Sequence, residues 1–226
     1  MKGYLLDGGH VPPGARALHF TLALGVLGAL FWFCAERSGY VWHWESLLPY
    51  WRKFLSGWKA TVGISAAALF LSTLLGLGFA LARQSRILPL RYFSRIYVEL
   101  IRGTPLLVQL AVSFYIIADG FGLQNRYVVG VVALSLFSGA YISEIIRAGL
   151  ESVGASQRES ARAIGLTRGQ AFRYVVLPQA ARRMAPPLAG QFASLVKDSS
   201  LLSILGIGEL TLAGQETSSL TYAIFE

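Results

Sequence analysis

Charge is scarce in this chain. Of its 226 residues only 14% are Asp, Glu, Lys or Arg, against about 25% in an ordinary soluble domain. Cysteine is nearly absent: Cys34 stands alone, which excludes an internal disulfide framework; its position in an apolar run suits a small core residue. Lysine is rare too. Lys2, Lys53, Lys59 and Lys197 are the only four, and none follows a glycine. A P-loop needs a Gly-Lys pair before Ser or Thr, so this chain carries no ATPase chemistry of that kind. His10, His19 and His43 cluster near the N-terminus without ligand spacing, so no metal constellation is expected and interface or loop roles are. Tandem repeats and low-complexity stretches are also missing.

What fills the chain instead is apolar. Hydrophobic residues make up 54%, and mean hydropathy is +0.52. Residues 17–35 hold no charge over 19 positions, and residues 60–82 none over 23. A bilayer core takes about 20 apolar residues per helix, so both runs are long enough to span. The first has Lys2 and Arg16 as a positive flank, like a signal peptide, but ends in Phe31-Trp32-Phe33 where cleavage needs small residues. It reads as an uncleaved helix.

The formal charge of +8 invites a nucleic-acid reading; its placement argues for a membrane. Arg83, Arg86, Arg91, Arg95 and Arg102 fall in one region between apolar runs. Arg147, Arg158, Arg162, Arg168, Arg173, Arg182 and Arg183 fall in another, so the two hold 12 of the 20 basic residues. Positive-inside bias puts both regions in the cytoplasm. Glu209 and Glu216 flank a stretch free of basic residues and belong outside. Arg52, Lys53 and Lys59 fit imperfectly, since the alternation places them outside as well; Trp42, Trp44, Tyr50, Trp51 and Trp58 mark that segment as interfacial, where basic side chains snorkel to headgroups.

The resulting fold is an all-α, multi-pass transmembrane bundle with a cytoplasmic N-terminus. About five spans are expected, near 17–35, 58–82, 95–118, 127–148 and 180–205, the last broken at Lys197-Asp198. Residues 1–54 form an extra helix and interfacial segment, and 55–226 the main transmembrane domain. The closing "SSLTYAIFE" reads as the start of a further span, so the full chain is expected to continue about 20–25 residues past Glu226.

One polar insert, "SQRESARAIGLTRGQAFRYVVLPQ" at 156–179, interrupts this pattern. Ser156 with Glu159, and Thr167 with Gln170, have capping-box spacing. Gly165 is placed to end a two-turn helix, and Pro178 to force a bend. So short a helix is marginal alone; Ala161, Ile164 and Leu166 offer it a small apolar face for docking. A surface loop lying on its own protein or on headgroups is the alternative.

Glu159-Ser160-Ala161, three residues, Gly165, nine residues, Val175, one residue, Leu177-Pro178 resembles the EAA loop of bacterial ABC importer permeases, E-A-A-x3-G-x9-I-x-L-P. Ser160 for alanine and Val175 for isoleucine are the departures. "ELIRGTPLLVQL" (99–110), "AYISEIIRAGLESV" (140–153) and "KDSSLLSILGIGEL" (197–210) are similar to the polar amino acid branch, of the histidine/glutamine/glutamate type. The resemblance covers about 55–225 and implies a type I importer permease in the inner membrane. It implies a coupling helix, with Glu159, Ser160, Ala161, Ile164, Gly165 and Leu166 meeting an ATPase subunit. It also implies a second permease subunit, identical or homologous, and an extracytoplasmic substrate-binding protein. No cofactor is expected in this chain; ATP is bound by partner subunits, and lipid is the remaining partner.

Polar residues inside spans mark candidate substrate contacts. Gln109 and Ser113 lie four apart. Ser138, Tyr141 and Glu144 recur at spacing three. Gln191, Ser194 and Asp198 follow i, i+3, i+7. Each stripe either lines a polar path or hydrogen-bonds neighbouring helices. An ATP-independent secondary transporter or channel for small polar solutes is the alternative function, separated from the first by ATP dependence. A membrane enzyme would need a reactive constellation, and none is visible.

Overall fold

A computed structural model describes residues 13–223, so Lys2, His10 and the expected continuation beyond Glu226 lie outside the described residues. The chain divides into two units, with the boundary between Ser46 and Leu47.

The first unit holds α1 (Pro13–Arg37). Its apolar side chains, Leu18 through Phe33, are exposed. Cys34 is exposed with them, which corrects its expected core position: a lone helix has no interior. Arg37 caps the helix end over the Phe33 ring at 5.6 Å, and Trp42 stacks on Trp44 at 5.8 Å.

The second unit is built on α2 (Trp51–Arg83) and α5 (Arg126–Glu151), both long and apolar enough to span. They pack because their facing residues are small. Ile64, Ala68, Ser72, Gly76 and Ala80 recur every fourth residue on α2, and all are buried. Ser135, Ser138, Gly139 and Ile142 answer on α5. Lipid tails give apolar helices no reason to associate, so close backbone approach and hydrogen bonds must do it. Gly76 allows that approach: a Cβ there would lie 2.5 Å from Ile142 Cγ2 and 3.0 Å from the Gly139 carbonyl oxygen.

The expected third span, 95–118, is not one helix. It is α3 (Leu88–Gly103) and α4 (Leu106–Ala118), bent by 110° at Thr104-Pro105. Pro105 cannot donate to the preceding turn, and Thr104 before it is extended as the residue before proline prefers. Gln109 braces the break: its Nε2 donates to the Ile101 and Thr104 carbonyls at 2.7 and 3.0 Å and to Thr104 Oγ1 at 2.8 Å. The second half of α4, Ser113–Ala118, is π-helical. Counting the bent pair as one span, the described residues hold four helices or helix pairs apolar enough to cross, including α1.

After α5 come the short α6 (Ala155–Ala163) and α7 (Arg168–Ala171). Pro178 does not break the chain. A π turn, Phe172–Val176, absorbs the missing donor, and the helix continues directly into α8 (Leu177–Asp198). α8 is the expected fifth span; Arg182, Arg183 and Lys197 dilute its apolar length. It ends at the expected break and passes through a 3₁₀ segment, Ser199–Leu205, and a left-handed Gly206 (φ +71°) into α9 (Leu210–Thr221). The "SSLT" read as the opening of a further span is instead the last turn of α9, closed by Tyr222 at φ +58°.

The main core joins Ile64, Ala68, Leu110, Ala133, Leu134, Leu195, Leu202, Leu205 and Ile207. α9 is clamped to the start of α2. The Glu209 side chain, fully buried, accepts from the Leu212 N–H at 2.8 Å and from Thr61 Oγ1 at 3.3 Å. Thr61 Oγ1 accepts in turn from the Leu210 N–H at 3.0 Å. Lys53, awkward for the charge rule, meets Glu216 at 2.7 Å; the pair is half-exposed and contributes little by itself.

Candidate coupling site and polar helix faces

α6 projects from the end of α5, and its local structure differs from the spacing rule in one respect. Its N-cap is Gly154, with no side-chain cap, and Ser156 is already the second helical residue. The Ser156/Glu159 capping box does not form, because starting the helix one residue beyond Gly154 leaves Glu159 in mid-helix. The second box does form: Thr167 Oγ1 accepts from the Gln170 N–H at 3.3 Å and Gln170 Oε1 accepts from the Thr167 N–H at 2.9 Å. Gly165 takes φ +88°, the left-handed conformation that glycine adopts without Cβ strain. The Leu166 N–H then reaches back to the Ala161 carbonyl at 3.2 Å and the Gly165 N–H to Arg162 at 3.0 Å, a Schellman-type closure.

The six residues of the expected coupling surface separate by direction. Ala161 points inward and is buried. Leu166 is half-buried. Glu159, Ser160 and Gly165 are exposed, and Ile164 is 77% exposed at the tip. The helix is held from below rather than floating. Arg158 donates to the Leu150 and Val153 carbonyls at 2.9 and 3.2 Å, satisfying orphan acceptors at the end of α5. Arg183 of α8 donates to the Ser152 carbonyl. Val153, Val176 and Ala180, with Leu150 and Met184, form a second small core beneath. α5, α6 and α8 therefore meet at one joint. Neither brace follows from helical spacing: Arg158 reaches carbonyls 8 and 5 residues back, across the turn from α5, and Arg183 reaches one 31 residues away.

The polar stripes land in different surroundings. Glu144 sits at the centre of a charge cluster joining three helices. Arg83 of α2 reaches it at 2.9 Å, Arg147 of α5 at 2.5 and 2.9 Å, and Arg102 at the end of α3 at 3.8 Å; Arg147 also pairs with Glu151. Arg102 lies over the Tyr141 ring at 5.3 Å. Gln191 Nε2 donates to Ser138 Oγ at 3.2 Å, tying α8 to α5. Ser113 and Asp198 are half-buried and Ser194 is exposed. No ion pair joins Lys197 to Asp198 among the described residues. Glu144→Gln is expected to lower stability by about 1–2 kcal/mol, because three guanidiniums lose their shared anion while solvent still screens the half-exposed site. Thermal unfolding in detergent checks this. A double-mutant cycle with Arg83→Gln should show coupling of about 1 kcal/mol.

Comparison with known proteins places this architecture. The profile of the family described as "binding-protein-dependent transport system inner membrane component" matches residues 45–225. The L-cystine transport system permease protein of Bacillus subtilis (strain 168) is 41% identical over 167 residues, 74% of this chain and 71% of that one. The glutamine transport system permease protein of Escherichia coli (strain K12) is 35% identical over 175 residues, 76% and 80% of the two chains. In the crystal structure of an amino acid ABC transporter with histidines, one chain is 37% identical, with a TM-score of 0.76 over 83% of this chain and 87% of that one. The inward-facing MetNI methionine ABC transporter shares the fold, at a TM-score of 0.64 and 19% identity over 78% and 86% of the two chains. With the family profile covering all of α2 to α9, the chain belongs to the binding-protein-dependent transport system inner membrane components, as a multi-pass permease subunit.

Proposed function

We propose that this permease subunit serves an ATP-driven importer of polar or charged amino acids, with α6 as the element gripped by a cytoplasmic ATPase subunit. The observation that carries the coupling role is Ile164: a large apolar side chain 77% exposed at the tip of a polar, arginine-flanked helix. An exposed isoleucine beside Glu159 and Ser160 suits a groove with an apolar floor and polar rim. Its rigid mounting on α5 and α8 suits a lever between two states of the translocation path, with nucleotide biasing the equilibrium. The arginines around the insert favour a cytoplasmic location for α6, and the helix alternation then puts the N-terminus on the same side. A second permease subunit completes the path, and an extracytoplasmic binding protein delivers the solute. The amino acid class rests on the relatives' substrates.

The test is reconstitution of the chain with its ATPase, permease and binding-protein partners in vesicles. Labelled glutamine, glutamate, arginine and cystine are offered in turn. Uptake of at least one is expected, requiring both hydrolysable ATP and the binding protein. Uptake that persists with a nonhydrolysable analogue would establish the secondary-transport reading instead.

A further inference from the structure

α3 has three faces, and only one is used by the fold. At 100° per residue, Ser94, Tyr97, Val98 and Ile101 share one arc. Ser94 and Val98 are buried and Tyr97 and Ile101 half-buried. Ser94 Oγ donates to the Phe79 carbonyl at 2.8 Å, and Tyr97 stacks on the Phe79 ring at 4.0 Å. A second arc carries Tyr92, Phe93, Ile96 and Leu100, each about 60% exposed. A third carries Arg91, Arg95, Glu99 and Arg102, with Arg86 just ahead of the helix. A helix with one protein face, one bare apolar face and one basic face matches a position at the boundary between acyl chains and headgroups.

Its placement agrees. α3 begins a few residues after the end of α2, and its middle packs on Phe79, about one turn inside that end. The 110° break turns it away from the direction of α4, which continues toward the opposite end of α5. Bent by 110° from α4, α3 lies across the direction of α4 rather than along it, beside the arginine-rich end of α2.

We propose that α3 is an in-plane helix whose basic face, Arg86, Arg91 and Arg95, recruits anionic phospholipid, with Tyr92, Phe93, Ile96 and Leu100 seated among its acyl chains. With Arg102 turned to Glu144, three cations remain beside one carboxylate, Glu99. Arg91 is held toward the helix start by bonds to the Ser85 carbonyl at 2.9 and 3.3 Å. The Arg95–Glu99 pair, at 2.7 Å, is about 60% exposed on both sides, so a phosphate competes with it readily. Lipid held here touches the helix whose Arg102 enters the Glu144 cluster, and so lies beside the α2–α3–α5 joint.

The experiment uses the full chain in a Cys34→Ser background with a fluorophore on Ile96→Cys, in vesicles of phosphatidylcholine mixed with phosphatidylglycerol. Either lipid carries a nitroxide quencher in turn. Phosphatidylglycerol is expected to associate about fivefold or more in preference to phosphatidylcholine, the factor supplied by one basic residue at an anionic surface. A fluorophore on Phe70→Cys of α2, exposed but far in sequence from these arginines, should show no preference. The preference at Ile96 should vanish in Arg86→Gln/Arg91→Gln/Arg95→Gln. In the unsubstituted basic face it should shrink toward one when salt is raised to about 1 M, where the screening length is about 3 Å. Equal quenching by both lipids overturns the proposal, as does a preference that survives the triple substitution. Quenching by neither shows the face covered by protein and overturns it too.

Discussion

Gly165→Val and Glu159→Lys should both insert into the membrane normally and both lose at least about tenfold in uptake, a loss of about 1.4 kcal/mol in coupling. They reach that result differently. Gly165 has φ +88° with no heavy atom within 4 Å of an added Cβ, so a clash with neighbours is not the cause. The cost is backbone strain, about 1–2 kcal/mol for a residue with a Cβ and more for a branched one. Relief of that strain swings Ile164 and Leu166 out of register with α6. Glu159 lies in mid-helix, outside the first turn where the dipole acts, and makes no capping bond. Reversing its charge should therefore change folding stability by no more than about 0.5 kcal/mol, and the transport defect then reports the docking surface itself. Copurification with the ATPase, ATPase rate with loaded binding protein, and reconstituted uptake measure the three consequences. Wild-type uptake by both variants would reduce α6 to an ordinary surface loop, leaving the family membership intact.

Gly76→Val should be the most damaging single substitution in the helix core, at about 3 kcal/mol, while Gly149→Ala costs about 1 kcal/mol. Distances alone suggest the reverse. An added Cβ at Gly149 would lie 2.1 Å from Met184 Cγ, whereas one at Gly76 would lie 2.5 Å from Ile142 Cγ2. The difference is what can move. Met184 is half-buried and unbranched, and another rotamer clears the space. Ile142 presents its branched Cβ at 2.7 Å, and the Gly139 carbonyl oxygen stands behind it at 3.0 Å. A β-branched side chain has little rotamer freedom in a helix, and backbone cannot step aside without separating α2 from α5. Ile142→Ala removes the Cγ2 contact at 2.5 Å but keeps the Cβ at 2.7 Å, so it should rescue only part of the Gly76→Val loss, a coupling of about 0.5 kcal/mol or more. Melting temperature by size-exclusion in detergent reads both. Additive losses would mean that the two helices do not approach at Gly76.

The sequence by itself settled the solvent, the class and the family. Runs of uncharged residues at bilayer length and the glycine and capping-box spacing of the insert are local signals that survive in the fold as α2, α5, the Thr167/Gln170 box and the left-handed Gly165, as does the break after Asp198, while the helix runs on through Pro178. What the tertiary structure alone decided were relations between distant segments. Glu144 reads as one member of a polar stripe until Arg83 and Arg102 arrive from two other helices. Gln109 reads the same way until the Thr104-Pro105 break turns its amide back onto α3. Ser156 satisfies a capping rule, yet Gly154 starts the helix, and Arg158 ties its first turn to carbonyls at the end of α5. Periodicity tells which residues share a face of their own helix; it carries no information about which face of which other helix arrives opposite. In a membrane, where apolar burial alone does not select partners, that choice is made by a glycine's missing Cβ and by charges that must find one another.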